Sequence, residues 1–94
     1  MKAKMNKWSG WTNETRIDIL MALYRHKLVE SGFTIRDESY CFFEPYGFTA
    51  LFLLSESHFA IHTFPEEKKT YLELSSCVDV PFEKFVADVE AEIA

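Results

Sequence analysis

The sequence predicts an α+β domain, a two-layer sandwich with an antiparallel sheet of about four strands and two helices on one face. Three features predict it. Two stretches with helical apolar spacing lie toward the two ends of the chain. Between them stand four short segments rich in aromatic and β-branched residues, divided by turn residues. No linker, repeat or low-complexity tract interrupts the 94 residues, so 1–94 reads as a single domain with one core.

Residues 1–11 are polar and Lys-rich and read as a tail, ordered only near Trp8 and Trp11. Thr12 or Asn13 suits the cap of a first helix, with Glu14 favourable to its dipole. Ile17, Leu20, Met21, Tyr24 and Leu28 follow at helical spacing, and Gly32 ends the run. This predicts a helix over 13–31 whose apolar stripe is a packing face.

The first strand segment runs from Phe33 to Glu44 and stops at Pro45-Tyr46-Gly47. Phe48 to Ser55 is nearly all apolar, which predicts a central strand buried on both faces. His58 to Phe64 ends at Pro65. A charged turn, Glu66 to Lys69, leads to the fourth strand, Thr70 to Cys77. Pro81 suits the first position of a second helix, with Phe82, Phe85, Val86, Val89 and Ile93 on its apolar face.

Composition narrows the functional classes. The formal charge of -5 argues against nucleic acid as a partner and fits a cationic small substrate. No apolar run approaches the ~20 residues of a membrane span, and no apolar signal core follows the basic start, so a cytoplasmic protein is expected. Cys41 and Cys77 then read as thiols. Nine Phe, four Tyr and two Trp exceed what a small core needs, which suits an interface or a flat ligand. There is no P-loop, no dinucleotide glycine pattern and no Cys/His spacing of a metal site.

Taken singly, the polar residues of the central segments have plain readings. Ser57 is a turn residue, His62 a strand histidine, Cys41 and Cys77 small apolar side chains. Phe43 and Phe64 are core, and Glu66 belongs to a solvated turn. Together they form a pattern: Glu56-Ser57-His58, then His62-Thr63-Phe64-Pro65-Glu66, then Cys77 twenty residues after Ser57, preceded by Phe43-Glu44-Pro45-Tyr46-Gly47. This pattern resembles the signature of the bacterial and archaeal S-adenosylmethionine decarboxylases, which are pyruvoyl-dependent and self-processing. The resemblance spans about 33–77.

It implies a cofactor made from the chain itself. The Ser57 hydroxyl would attack the Glu56 carbonyl, and elimination and loss of ammonia would leave a pyruvoyl group at former Ser57. That ketone would bind the substrate amine as a Schiff base, with no metal and no pyridoxal phosphate. His62 matches the base that assists processing, Cys77 the proton donor in turnover, and Thr49 a processing hydroxyl. Phe43 and Phe64 match aromatic positions flanking the substrate, and Glu66 the carboxylate that holds its ribose.

Strand geometry adds a separate expectation. Ser57 and His62 are five residues apart, roughly 16 Å along a strand and on opposite faces. With Glu56 and Ser57 as a hairpin tip, Leu51 faces His62 and Thr49 faces Phe64. Ser57 of one copy would then meet His62 of another, so a homodimer with two shared sites is expected, a bend or bulge within 58–62 being the alternative.

The chain also departs from the family it resembles. Thr49 stands where serine is usual, Phe64 where bacterial relatives often carry Trp, and Val78 where glycine is common. The family's N-terminal strand has no expected counterpart before the first helix, and its final strand none after the second. The departures leave three expectations: decarboxylation of S-adenosylmethionine for polyamine synthesis, the same chemistry on arginine or ornithine, or a non-processing relative that binds or self-associates.

Overall fold

A computed structural model describes residues 3–93, the Ile93 side chain excepted. The Ile93 contribution to the helix face therefore lies outside the described residues. The order is β1 (Asn6–Thr12), α1 (Ile17–Ser31), β2 (Ile35–Phe42), β3 (Phe48–Leu54), β4 (Ser57–Phe64), a 3-10 turn over Pro65–Glu67, β5 (Lys69–Ser76) and α2 (Asp79–Ile93). The strands form one antiparallel sheet in the order β1-β5-β4-β3-β2. The predicted α+β class stands, with five strands in place of about four.

The additional strand comes from residues read as a tail. Asn6 to Thr12 pair with β5 from Asn6↔Ser76 to Thr12↔Thr70. Trp8 turns toward the helices, where its ring meets Phe85 at 6.0 Å and its Nε1–H donates to Glu90 at 3.1 Å. Gly10 lies two residues on, on the same face. A Cβ there would come within 2.8 Å of the Trp8 ring, so glycine lets the indole lie along the strand. Met1 and Lys2 of the predicted tail lie outside the described residues.

Helix α1 begins at Ile17, four residues later than predicted. Glu14 is engaged elsewhere: its carbonyl accepts a hydrogen bond from Thr70 at 2.6 Å, which fixes the chain to β5. Its carboxylate accepts the backbone N–H groups of Thr15 and Arg16, at 3.1 and 2.9 Å, and pairs with the Arg16 guanidinium. These contacts, Arg16 first among them, hold the carboxyl down at about 2. A depressed folded-state value means that the contribution is complete above the ordinary value near 4.5 and fades as the pH falls through about 2. The Glu14 side-chain carboxyl should therefore titrate in NMR near pH 2, with the Thr15 and Arg16 amides following it. A midpoint at the ordinary carboxylate value would contradict the contacts.

At the other end, Gly32 adopts φ 108°, the left-handed cap a glycine supplies most readily, and its N–H bonds Leu28 and Val29 carbonyls. Helix α2 starts at Asp79 rather than Pro81. Proline still lies in the first turn, where its missing N–H has no intrahelical partner. Asp79 binds Lys4 at 3.0 Å and Asn6 at 2.9 Å, tying α2 to β1.

The core lies between the helices and one face of the sheet. Leu20, Tyr24 and Leu28 from α1 and Phe85 and Val89 from α2 meet Phe48, Ala50, Phe52, Leu54, Phe59, Ile61, Leu72 and Leu74. Phe59 sits at its centre, with Phe85, Tyr24 and Phe52 rings at 5.2, 5.4 and 6.0 Å. Between the helices, the buried Lys27 ammonium pairs with Asp88 at 2.9 Å and with Glu92.

The other face of the sheet carries no layer among the described residues. This corrects the expectation for β3, whose burial alternates. Phe48, Ala50, Phe52 and Leu54 are covered, whereas Leu51 and Leu53 are 42% and 51% exposed. An apolar run therefore does not imply two covered faces here. The open face is itself apolar, with Phe64 and Trp11 also exposed. Among the described residues, no helix is long and apolar enough to cross a membrane.

Candidate active site

Strands β3 and β4 are joined by two residues, Ser55 and Glu56. Glu56 takes φ 60°, in the left-handed region that a non-glycine residue enters at a cost of about 1 kcal/mol or more. The turn sits one residue earlier than predicted, so the register differs. Leu54 faces Ser57, Leu51 faces Ala60 and Thr49 faces His62. The expected pairs Leu51 with His62 and Thr49 with Phe64 are not formed. Ser57 is thus the first residue of β4 and not the hairpin tip.

The peptide bond between Glu56 and Ser57 lies among hydrogen-bond groups. The Glu56 carbonyl accepts the Cys77 thiol at 3.0 Å and the Cys77 backbone N–H at 3.4 Å. Two donors on one carbonyl oxygen are what stabilises negative charge developing there when a nucleophile adds. The Ser57 side chain is buried on the helix face, and its hydroxyl donates to Ser76 Oγ at 2.8 Å. Nucleophile, carbonyl and donors come together from two segments of sequence, Glu56-Ser57 and Ser76-Cys77.

His62 lies elsewhere. It is on the open face, five residues along β4, while Ser57 is on the helix face. The pairings of β4 with β3 and β5 run without a break from Ser57 onward, so there is no bulge to bring the two together. Within one chain they stay roughly 16 Å apart. The His62 ring nitrogen Nδ1 is 2.9 Å from Thr49 Oγ1. If Nδ1 carries the proton and donates to Thr49, Nε2 keeps its lone pair and is the basic atom. The Tyr71 ring stacks beside the imidazole, with centroids 6.1 Å apart. The ladder register places Cys41, Thr49, His62, Tyr71 and Trp11 in one row across all five strands.

Phe43, Phe64 and Glu66 gather at the end of the sheet away from Ser57. Phe43 lies in the β2–β3 loop and is exposed, Phe64 ends β4, and Glu66 is in the 3-10 turn. Phe64 is seven residues from Ser57, roughly 23 Å along the strand. A hollow of about 280 Å³ lies at this end, bordered by Phe43, Pro45, Tyr46, Thr63 and Pro65. Trp11 packs on Phe64 at 5.9 Å and on Tyr71 at 5.1 Å, with the Lys69 ammonium 5.0 Å over its ring. Among the described residues, no cluster of three or more His, Cys, Asp or Glu side chains is arranged to hold a metal ion.

The predicted residues therefore form two groups: Glu56, Ser57 and Cys77 at one end, and Thr49, His62, Phe43, Phe64 and Glu66 toward the other. Sequence reasoning missed Ser76, Tyr71 and Trp11. Ser76 becomes visible only once the β4–β5 register pairs it with Ser57. Trp11 and Tyr71 emerge only once β1 is a strand.

The chain is similar to known proteins in sequence and in fold. A family model described as S-adenosylmethionine decarboxylase matches residues 14–93. An S-adenosylmethionine decarboxylase proenzyme from Symbiobacterium thermophilum is 42% identical over 48 residues, covering 51% of this chain and 36% of the relative. One from Fervidobacterium nodosum is 36% identical over 63 residues, covering 67% and 46%. The chain thus spans less than half the length of either relative. The crystal structure of the Aquifex aeolicus adenosylmethionine decarboxylase superposes with a TM-score of 0.69 at 21% identity, covering 95% of this chain and 76% of that one, a likeness of fold.

Proposed function

The chain belongs to the S-adenosylmethionine decarboxylase family, and from that premise we propose that it cleaves itself between Glu56 and Ser57 and decarboxylates S-adenosylmethionine. The observation that supports this most is the pair of Cys77 donors on the Glu56 carbonyl, beside the Ser57 hydroxyl and at a left-handed backbone position. An ordinary turn serine has no need of such a setting.

Addition of Ser57 Oγ to the Glu56 carbonyl carbon places negative charge on the oxygen that Cys77 contacts. Collapse breaks the C–N bond, moves the hydroxyl proton to the Ser57 nitrogen and leaves an ester. Relief of the strained Glu56 conformation favours that rearrangement. A base then removes the Ser57 α-proton, and the Glu56 carboxylate leaves by elimination. The resulting enamine tautomerises, and water releases ammonia. The products are residues 1–56 and a chain that begins at former Ser57. The site residues fit the resulting pyruvoyl group, because the Ser57 position is buried and Cys77 supplies hydrogen-bond donors beside it. Such a group supplies a ketone that captures the substrate amine and takes up the electron pair left by departing carbon dioxide.

His62 is the base in this reading, and its distance from Ser57 along β4 supports supply from a second copy. A two-fold homodimer stacked on the open faces would bury Leu51 and Leu53 and bring His62 of one copy toward the Glu56–Ser57 turn of the other. The same approach brings Phe43, Phe64 and Glu66 to the shared site. The aromatic rings would flank the adenine and sulfonium, Glu66 would accept the ribose hydroxyls, and Thr49 would hold the His62 tautomer. Cys77 Sγ would return a proton to the substrate α-carbon. The assembled enzyme would act in the cytoplasm.

Release of labelled carbon dioxide from S-adenosylmethionine, arginine and ornithine tests the substrate. Release from the first alone is expected; release from arginine or ornithine alone would reassign it. Cys77→Ala keeps the backbone N–H on the Glu56 carbonyl, so splitting should slow by about tenfold. Its turnover should fall by ~100-fold or more, because the proton donor is gone. Full decarboxylase activity in that variant would refute the donor role.

A further inference from the structure

Ser76 is buried and directly opposite Ser57 in the β4–β5 ladder. Its hydroxyl makes three contacts. It accepts the Ser57 hydroxyl at 2.8 Å and the Val78 N–H at 3.1 Å, and it donates to the Val78 carbonyl at 3.2 Å. The single Ser76 proton is thus committed to Val78, which requires Ser57 to donate and Ser76 to accept. A buried serine pair joined only to each other would leave that direction open.

Two consequences follow from one hydroxyl. Hydrogen bonding to Ser76 holds Ser57 Oγ in one rotamer, and the bonds to Val78 fix the turn through Cys77. That turn aims the Cys77 thiol and N–H at the Glu56 oxygen. Attacking oxygen and carbonyl donors are therefore held by the same side chain, although one lies on β4 and the others just after β5.

We propose that Ser76 is a positioning residue for the acyl shift, tying the Ser57 nucleophile to the Cys77 donors. This rests on the self-cleavage reading above and assigns Ser76 to its first step, ester formation. Ser76 does not serve as the base for that step, since its own proton faces a carbonyl. The hydroxyl proton of Ser57 ends on the Ser57 nitrogen, and Ser76 contributes orientation. Misplacement of a reacting group by about 1 Å can cost ~100-fold.

Thr and Val at position 76 test this, because they have the same shape and differ in the hydroxyl. The two purified full-length variants are followed by intact mass alongside the unaltered chain and Ser76→Ala, with thermal melts on each. Ser76→Thr should split within about tenfold of the unaltered rate, and Ser76→Val at least ~100-fold more slowly. Hydroxylamine, which cuts esters at neutral pH, separates the steps. It should release residues 1–56 as a hydroxamate from His62→Ala, where the ester forms but elimination is blocked. It should release little from Ser76→Val or Ser76→Ala, where the ester does not accumulate. Equal splitting of the Thr and Val variants would overturn the proposal. So would hydroxylamine release from a folded Ser76→Ala as fast as from His62→Ala, since Ser76 would then act after ester formation. If the unaltered chain stays whole and yields no hydroxamate, the self-cleavage reading fails and takes Ser76 with it. If that chain splits and only the Thr and Val comparison fails, the Ser76 assignment alone is wrong.

Discussion

Ser57→Ala is expected to stay whole under conditions that divide the unaltered chain, with a rate loss on the order of 10⁴-fold or more. The size follows from removing the nucleophile itself. Alanine leaves the Glu56 carbonyl with both Cys77 donors and its left-handed strain, but nothing beside it can add to carbon. The polarised carbonyl then reverts to an ordinary peptide bond, whose hydrolysis is slow. Folding should be little disturbed. The hydroxyl is lost from one hydrogen bond with Ser76, whose oxygen keeps the Val78 N–H. A folded Ser57→Ala variant that splits at the normal rate would remove Ser57 from the chemistry.

Mixing two inactive variants is expected to restore splitting. Ser57→Ala lacks the nucleophile and keeps His62; His62→Ala keeps Ser57 and lacks the base. Neither should divide alone. In a heterodimer of the two, Ser57 of one chain meets His62 of the other, and that single site is complete. After equal amounts are refolded together, about half of the His62→Ala chains lie in heterodimers, and those chains should split. The basis is the unbroken ladder between Ser57 and His62, which keeps them on opposite faces of one strand. No splitting beyond that of the separate variants would contradict a shared site.

The two layers were legible because core positions repeat at the helical and strand periods. Leu20, Tyr24 and Leu28 fall at helical spacing, and Phe59 and Ile61 alternate in β4. β1 was not legible. Its inward positions are Asn6, Trp8, Gly10 and Thr12, and only Trp8 supplies apolar bulk, because its ring occupies the space over Gly10. The start of α1 was hidden by a tertiary bond, Thr70 to the Glu14 carbonyl, which no local pattern announces. The uncovered face of β3 was misread because Leu51 and Leu53 are as apolar as the residues on the covered side.

For the site, the candidate residues stand out by their joint spacing, and the separation of Ser57 from His62 follows from strand parity. Register was harder. It depends on Glu56 entering the left-handed region, which its sequence does not advertise as glycine or asparagine would. A shift of one residue in the turn changed every partner in the hairpin. Ser76 and the row from Cys41 to Trp11 depend on those partners and could not be named beforehand.

Intact mass spectrometry of the purified chain, with and without hydrazine or borohydride, tests the central claim most directly. Two fragments joining at Glu56 and Ser57 are predicted, the second beginning with a carbonyl that either reagent traps. A single full-length mass after prolonged incubation of catalytically competent protein, with no trappable carbonyl, would contradict the account.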